Sequence, residues 1–412
     1  MRTLFEWVRL HLPSSRGARG RRNSTPVDGS LALVAATIVL TLGLPSAAMS
    51  QGRPLGPLRP ELIVAADTDA GELNFERAVW ATRLRDGGIA VADRSAGLIR
   101  VFGSSGQPMR VVGGKGQGPG EFSQPGWVSS CGTDSIFVWD VSTAKFSVFG
   151  PSLEFVRSWI LAEARAASSV SCSRAGLFAL RGGAAPNRQH DVIQRLRTRS
   201  GAPYELWPLE GTVILADGSG SIRARSPKLT LGTIFAGPVF PEGRMGTFSV
   251  PMGAEIYAVA IDSTLVLANP ETRSLTLLVP RAPDLAQNVP TGLARVPPST
   301  TSYERAVREA GLKVAGSTRE YFSKFALDMQ PPRTQPAFTD AVSDPLGLIW
   351  VRVPSPRDDE TRLVAIDLNG ASRRELLLDR RVTLVEVGVG HIIGIAETRD
   401  GDQSVVMWRF QR

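Results

Sequence analysis

The sequence predicts an all-β fold: a six-bladed β-propeller of four-stranded blades, closed by an N-terminal strand in the last blade, with a helical insertion between blades four and five. Three observations lead there. First, the segment beginning at Glu76 overlays the next one, without a gap, at a shift of 47 residues. Trp80 falls on Trp127, Ile89 on Ile136, Val91 on Val138, Asp93 on Asp140, Ser95 on Ser142, Val101-Phe-Gly103 on Val148-Phe-Gly150 and Arg110 on Arg157. A period of roughly 40–50 residues holding several short strands is the sequence signature of a propeller. Second, 41 Gly and 29 Pro against only 4 Tyr and 16 Phe suit short strands joined by tight turns. Third, Glu61–Ala66 reads as a strand with no local partner, while the last unit has only three strands. The orphan completes that unit and leaves no open sheet edge.

The 412 residues are enough for a sizeable core, and a repeat fold can use such a length as one domain. The first 50 residues carry Arg2, Arg9, Arg16, Arg19, Arg21 and Arg22 against Glu6 and Asp28, which inflates the net charge of +8. The remaining balance is too mild to argue for nucleic acid. The same basic stretch precedes an uncharged apolar run, Leu31–Leu44, then Pro45 and the small residues Ala47, Ala48 and Ser50. Basic region, short apolar core and small residues read as a secretory signal over 1–50, cut after Ser50. The run is 14 residues, short of the roughly 18–20 that span a bilayer. An uncleaved anchor is the alternative. No Cys stands at the cut, so a lipid anchor there is not expected, and no later segment is apolar enough to cross a membrane. The expected location is periplasmic or extracellular.

Residues 51–60 are a Pro- and Gly-rich lead-in, and 61–412 form the propeller. The second unit has strands at Trp127–Ser130, Ser135–Asp140, Lys145–Gly150 and Phe155–Leu161. The third matches the second at a shift of 41, with Ser171-Cys172 on Ser130-Cys131. Its outer strands are expected at Val192–Thr198 and Tyr204–Leu209, with a longer loop over Gly182–Gln189. Arg181 stands where Asp93 and Asp140 stood. The fourth unit is interrupted at Gly218–Ser221 and again over 232–253, leaving strands at Glu255–Ile261, Thr264–Ala268 and Ser274–Val279. The polar segment 280–336 is expected to be a partly helical insertion, with Ser302 as N-cap of a helix running to Gly311. The fifth unit has strands Leu348–Val351, Arg362–Ile366 and Arg373–Leu378. The sixth has Thr383–Val389, His391–Ala396 and Val405–Phe410.

The tract Gly113-Gly-Lys-Gly-Gln-Gly-Pro-Gly-Glu-Phe122, then Pro125 and a strand ending on Asp140, resembles the NHL repeat. More broadly the chain resembles secreted bacterial six-bladed propeller proteins related to that family. The likeness is carried mainly by Arg77–Trp159, and the tail from Val382 to Phe410 fits a closing blade. It implies a fold and an exported location but no single activity, since propellers host binding modules, lyases and lactonases alike.

Few residues offer chemistry. The glycine tract lacks the Lys-Ser/Thr of a phosphate loop, and Pro119 and a strand follow where a dinucleotide fingerprint needs a helix. It reads as a structural turn. Cys131 and Cys172 are the only cysteines and sit at matching positions one blade apart. In an exported protein two cysteines usually pair, which makes them a candidate disulfide; two buried thiols are the alternative. His190 and His391 are the histidines left after signal removal, each a base or ligand only if partners converge on it. Asp67–Glu72 lacks the spacing of a calcium loop. Asp358–Glu360 and Asp400–Asp402 read as hairpin tips, and Asp93 and Asp140 as strand ends bonding turn amides. No zinc spacing and no nucleophile elbow is present. No catalytic, cofactor-binding or metal-ligating residue is therefore assigned. The expectation is a monomeric exported binding or scaffold module, taking a protein or small-molecule ligand on a propeller face. The alternative is a metal-dependent, lactonase-like hydrolase or lyase with a carboxylate site in the central channel.

Overall fold

The computed structural model describes residues 57–65, 75–165, 167–184, 204–237, 246–279, 282–312, 318–357, 359–398 and 401–411. Residues 1–50, read above as a secretory signal, together with Asp67–Glu72, His190 and the strand expected at Val192–Thr198, lie outside these residues. The described chain is mostly antiparallel sheet, and its sheets are numbered here in chain order. Sheet one holds β2 (Ala78–Arg83), β3 (Ile89–Asp93), β4 (Leu98–Phe102) and β5 (Pro108–Val112). Sheet two holds β6 (Pro125–Ser129), β7 (Ile136–Asp140), β8 (Lys145–Phe149) and β9 (Phe155–Ile160). Each strand of sheet two starts 47 residues after its counterpart, so the sequence repeat is a structural one.

Sheet three is wider. It joins β10 (Ala167–Cys172), β11 (Leu177–Ala184), β12 (Glu205–Asp217), β14 (Leu229–Gly237) and β15 (Gly246–Ser249), with β13 (Ile222–Arg225) paired to β12. Sheet four holds β16 (Tyr257–Ile261), β17 (Thr264–Asn269), β18 (Ser274–Val279) and β19 (Ala282–Pro290). Two helices follow, α1 (Thr300–Leu312) and α2 (Thr318–Leu327). Sheet five holds β20 (Thr339–Ser343), β21 (Ile349–Val353), β22 (Thr361–Ile366) and β23 (Ser372–Leu378). Sheet six holds β24 (Thr383–Gly388), β25 (His391–Glu397) and β26 (Gln403–Arg409), and its fourth strand is β1 (Pro60–Ala65), antiparallel to β26.

The innermost strands β2, β6, β10, β16, β20 and β24 touch in succession, and β24 touches β2. Apolar clusters fill the gaps between sheets. Ile99 and Val128 meet between sheets one and two, Phe146 and Phe178 between two and three, and Leu215 and Leu267 between three and four. Val266 and Ile349 meet between four and five, Trp350 and Ile392 between five and six, and Ile393 and Val91 between six and one. A strand buried on both faces loses polar alternation, and all five residues of β3 and of β8 are buried. Each such Val, Ile or Phe contributes roughly 1.5–3 kcal/mol. The outermost strands β5 and β9 are mostly exposed and carry Arg110 and Arg157, the usual protection of a free edge. Four-stranded antiparallel sheets packed face to face in this way are the pattern of a β-propeller.

The structure corrects several expected boundaries. The stretch Glu205–Leu209 is part of β12, which continues through Gly211 to Asp217, pairing with β14 over Glu205–Gly211 and with β11 over Glu210–Asp217. Pro208 and Gly211 weaken strand propensity; Pro208 is tolerated because it pairs on the β14 side only, and Gly211 is held on both sides. Gly218–Ser221 is a hairpin turn inside sheet three, and 232–253 contains most of β14 and all of β15. The segment 280–336 is not wholly an insertion, because it begins with β19, which pairs with β18. As an outermost strand β19 needs main-chain bonds on one side only, so its polar, Pro-containing sequence suffices. The helix N-cap is Ser299 rather than Ser302. The Ser299 hydroxyl accepts the Ser302 amide at 3.0 Å, and its carbonyl accepts the Tyr303 amide at 3.0 Å. The helices lean on sheet three, where Tyr303, Val307 and Phe322 pack with Phe235.

The glycine tract is a turn of opposite polarity to a phosphate cradle. Its carbonyls point inward, and Gln117, Gly118 and Glu121 accept from the buried Lys145 ammonium at 3.2, 3.0 and 2.9 Å. Gly113 has φ +80°, and a Cβ there would overlap the Phe122 ring, so glycine is required.

Candidate functional site

The C-terminal ends of the six inner strands converge on one cavity of about 260 Å³. Its lining includes Arg83 from sheet one, Ser129 and Ser130 from two, Ser173 from three, Ala260 from four, Ser343 from five and Glu386 from six. Small side chains dominate, and hydroxyls and main chain stitch neighbouring strands there. The Ser130 amide donates to Thr82 Oγ1 at 3.4 Å. The Ala260 amide donates to Ser171 Oγ at 3.3 Å, and Ser343 Oγ donates to the Ala260 carbonyl at 3.2 Å. Between sheets two and three the link is the side-chain pairing of Cys131 with Cys172, whose Cα atoms are 5.6 Å apart. Cys131 takes φ +50° just after β6, which turns its side chain toward sheet three.

Between sheets six and one the link is Glu386. One carboxylate oxygen accepts from Thr82 Oγ1; the other lies 3.0 Å from the Arg83 amide and 3.0 Å from His391 Nε2. A bulge in β24 between Leu384 and Glu386 shifts the register at this point, as bulges beside sites commonly do. His391 begins β25, directly opposite Gly388. A Cβ at Gly388 would overlap the imidazole, so the ring lies across a glycine backbone. His391 is buried, and its Nδ1 has no hydrogen-bond partner among the described residues. Glu386 holds Nε2, and Nδ1 is itself enclosed, so the pair lies in the wall of the cavity with its orientation fixed from the Glu386 side. A carboxylate–imidazole pair is able to carry a charge or exchange a proton near neutral pH.

Three residues singled out from the sequence therefore share one cavity: Cys131, Cys172 and His391. Asp93 and Asp140 do not join them. The Asp140 carboxylate accepts from the Ser123 amide at 2.6 Å, Gln124 at 3.0 Å, Ser142 at 3.0 Å and Thr143 at 3.1 Å. Burial opposes its charge, but these bonds and the Ser142 hydroxyl hold its pKa below the ordinary carboxylate range. Asp359 and Glu360 pair with Arg357 on a loop. Asp358 and Asp400 lie outside the described residues. Sequence reading missed Glu386. Its signal is a single charge inside the apolar run Leu384–Val389, a position that demands a buried partner. Among the described residues no group of three or more His, Cys, Asp or Glu is placed to hold a metal ion.

No protein-family model matches the chain, and no curated protein matches its sequence. Similar solved structures include a Bacteroides fragilis protein described as exported, at 10% identity over 87% of this chain and 98% of that one, TM-score 0.43. A DUF4221-family member from Bacteroides vulgatus has 11% identity over 86% and 98%, TM-score 0.45. A streptogramin B lyase has 10% identity over 85% and 87%, TM-score 0.38. None of these likenesses carries an argument about what the cavity binds. No helix among the described residues is long and apolar enough to cross a membrane.

Proposed function

We propose that the chain is an exported, closed six-bladed β-propeller, NHL-like in its first two blades, acting as a monomeric binding module in the periplasm or outside the cell. Its ligand seats in the mouth at the C-terminal ends of the inner strands. Closure is supported by the pairing of β1 with β26 and by the apolar cluster between sheets six and one. Export is supported by the basic and apolar N-terminal pattern and by the Cys131–Cys172 pair, which as a disulfide needs an oxidising compartment. The observation that carries the ligand site is the convergence of the inner strand ends on a cavity lined by serines and glycines together with Arg83, Arg174, Asp262, Asp344 and the Glu386–His391 pair. A concave site with a few convergent polar groups favours a small polar ligand.

The test is native mass spectrometry of the protein purified from the envelope fraction, beside His391→Gln and Glu386→Gln. A stoichiometric small molecule or peptide lost from both variants, with melting temperatures kept, supports the reading. Equal occupancy in all three proteins ends it. A second reading is favoured by the same imidazole, as the general base of a hydrolase or lyase. Turnover of lactones or esters that vanishes in His391→Gln would promote it. A stoichiometric metal whose removal by EDTA lowers the melting temperature would promote its metal-dependent form.

A further inference from the structure

A second, larger cavity of about 570 Å³ opens at the other ends of β16 and β20, beside α1 and α2. Its size is that of a small-molecule site. Its lining has two parts of different kind. One is apolar, with Phe248, Val250 and Met252 from the chain at and after β15. The buried Phe322 of α2 backs Phe248, with ring centroids 5.2 Å apart, so this wall is firm.

The other part is built of ion pairs. Glu309 of α1 accepts from two nitrogens of Arg381, one through each carboxylate oxygen. Asp340 accepts from Arg352 Nε at 3.1 Å and from the Leu384 amide at 3.3 Å. Arg352 also donates to Thr339 Oγ1 at 2.9 Å and to the Val382 carbonyl at 3.2 Å. These groups are thus held in place before any ligand arrives. The other lining carboxylates are matched too, Glu255 by Arg181 at 3.0 Å and Glu360 by Arg357 at 3.4 Å. Among the described residues Asp340 is the one non-glycine with positive φ inside a strand, +55° at a bulge in β20. Such a conformation persists where the surroundings impose it, and it clusters at ligand sites. Burial, with the charges of Asp340 and Glu255, pushes the Tyr257 hydroxyl above its ordinary range, so it keeps its proton and remains a donor.

A guanidinium carries several N–H donors and a carboxylate several acceptor positions. A pair that commits some of each to its own bonds still presents donors and acceptors side by side. The ligand group that answers both at once is a hydroxyl, which donates and accepts. Neighbouring hydroxyls on a rigid ring match such pairs, and the C–H face of the same ring suits an apolar wall. We infer that this chamber binds a saccharide, with its hydroxyls on the Glu309–Arg381 and Asp340–Arg352 pairs and a C–H face against Phe248, Val250 and Met252. The site is separate from the mouth, because the two cavities lie at opposite ends of β16 and β20.

The experiment is titration calorimetry and saturation-transfer NMR of the whole protein with maltose, cellobiose, lactose and diacetylchitobiose, beside cyclohexanol. At least one disaccharide is expected to bind once per chain with a Kd of about 1 mM or tighter. Cyclohexanol, which has the apolar ring without the array of hydroxyls, should bind at least about tenfold more weakly, a difference of about 1.4 kcal/mol. Arg381→Lys keeps the charge and loses the fork, and should weaken the disaccharide about tenfold. Ala306→Phe, which fills the chamber from α1, should abolish binding and decides the matter if Arg381→Lys fails to fold. Four outcomes would overturn the inference: no disaccharide bound by about 1 mM, cyclohexanol bound as tightly, an affinity indifferent to Arg381→Lys or Ala306→Phe, or binding lost in Glu386→Gln but kept in Ala306→Phe, which would put the sugar in the mouth.

Discussion

Sheets one and two carry an aspartate where sheet three carries an arginine, and the difference alters what surrounds that position. In the first two sheets the second strand ends on Asp93 or Asp140. Each carboxylate turns back on its own sheet and takes the amides of the chain leading into the inner strand, Glu76 and Arg77 at 3.1 and 2.9 Å in one case, Ser123 and Gln124 at 2.6 and 3.0 Å in the other. In sheet three the position is Arg181. It reaches forward instead, with both terminal nitrogens 3.0 Å from Glu255 in the segment leading to sheet four. An anion that staples a sheet to itself has become a cation that staples it to the next. The extra strands of sheet three, the two helices and a cavity of about 570 Å³ lined in part by Glu255 and α1 all come after this point in the chain. The regular sheets hold their shape with repeated local bonds, and the larger cavity forms where the repeat departs from them.

The comparison can be broken most severely at the seam between its two halves. Reducing Cys131–Cys172, with a sequence separation of 41, should cost about 3–4 kcal/mol in the chain-entropy model. Urea unfolding with and without dithiothreitol measures it; superimposable curves would mean that no bridge is formed. Next comes the self-staple. Asp140→Ala leaves four part-buried amides without their acceptor and should cost about 2–3 kcal/mol, read as a fall in the urea midpoint. Arg181→Leu should cost less, about 1–2 kcal/mol, because Glu255 keeps 32% side-chain exposure and can turn to water. If Arg181→Leu proves as damaging as Asp140→Ala, the distinction between inward and forward staples fails.

The smallest effect sharpens the comparison through pH. Asp140 has a folded pKa below its unfolded value of about 3.9, so its contribution is complete above that value and lost as pH falls through the folded pKa. Asp217 in sheet three behaves likewise, held down to about 2 against burial by the Ser219 hydroxyl and amide, the Ser221 amide and Arg223. Acid titration of stability should therefore flatten in Asp140→Asn below about pH 4, and less so in Asp217→Asn, whose carboxylate sits on an exposed turn. A wild-type slope unchanged in both variants would place the acid sensitivity elsewhere.

Much of the architecture was open to reading because its causes are local. The 47-residue repeat, the glycine turn, the orphan strand read at Glu61–Ala66 and the helical composition of Ser302–Gly311 follow from strand period, turn chemistry and residue propensity, which act over a few residues. Where a segment's state depended on distant partners, local reading erred. β12 runs through Pro208 because β14 pairs with it there and through Gly211 because β11 and β14 both do, and β19 is a strand only because β18 offers an edge. The candidate site follows the same division. Cys131, Cys172 and His391 stand out by scarcity, which composition reveals.

What composition could not reveal is that they share a cavity with Glu386. That carboxylate reaches Thr82 and Arg83 some three hundred residues away, across the gap between the last sheet and the first. The cavity of about 570 Å³ beside the helices is likewise assembled from six stretches of chain, around 248–257, 305–310, 322, 335–340, 352–361 and 381, that meet only on folding. Strand period, turns and cysteine count are properties of neighbours along the chain, so the sequence alone decides them. The partners of a buried charge are neighbours in space, and only the tertiary structure chooses those.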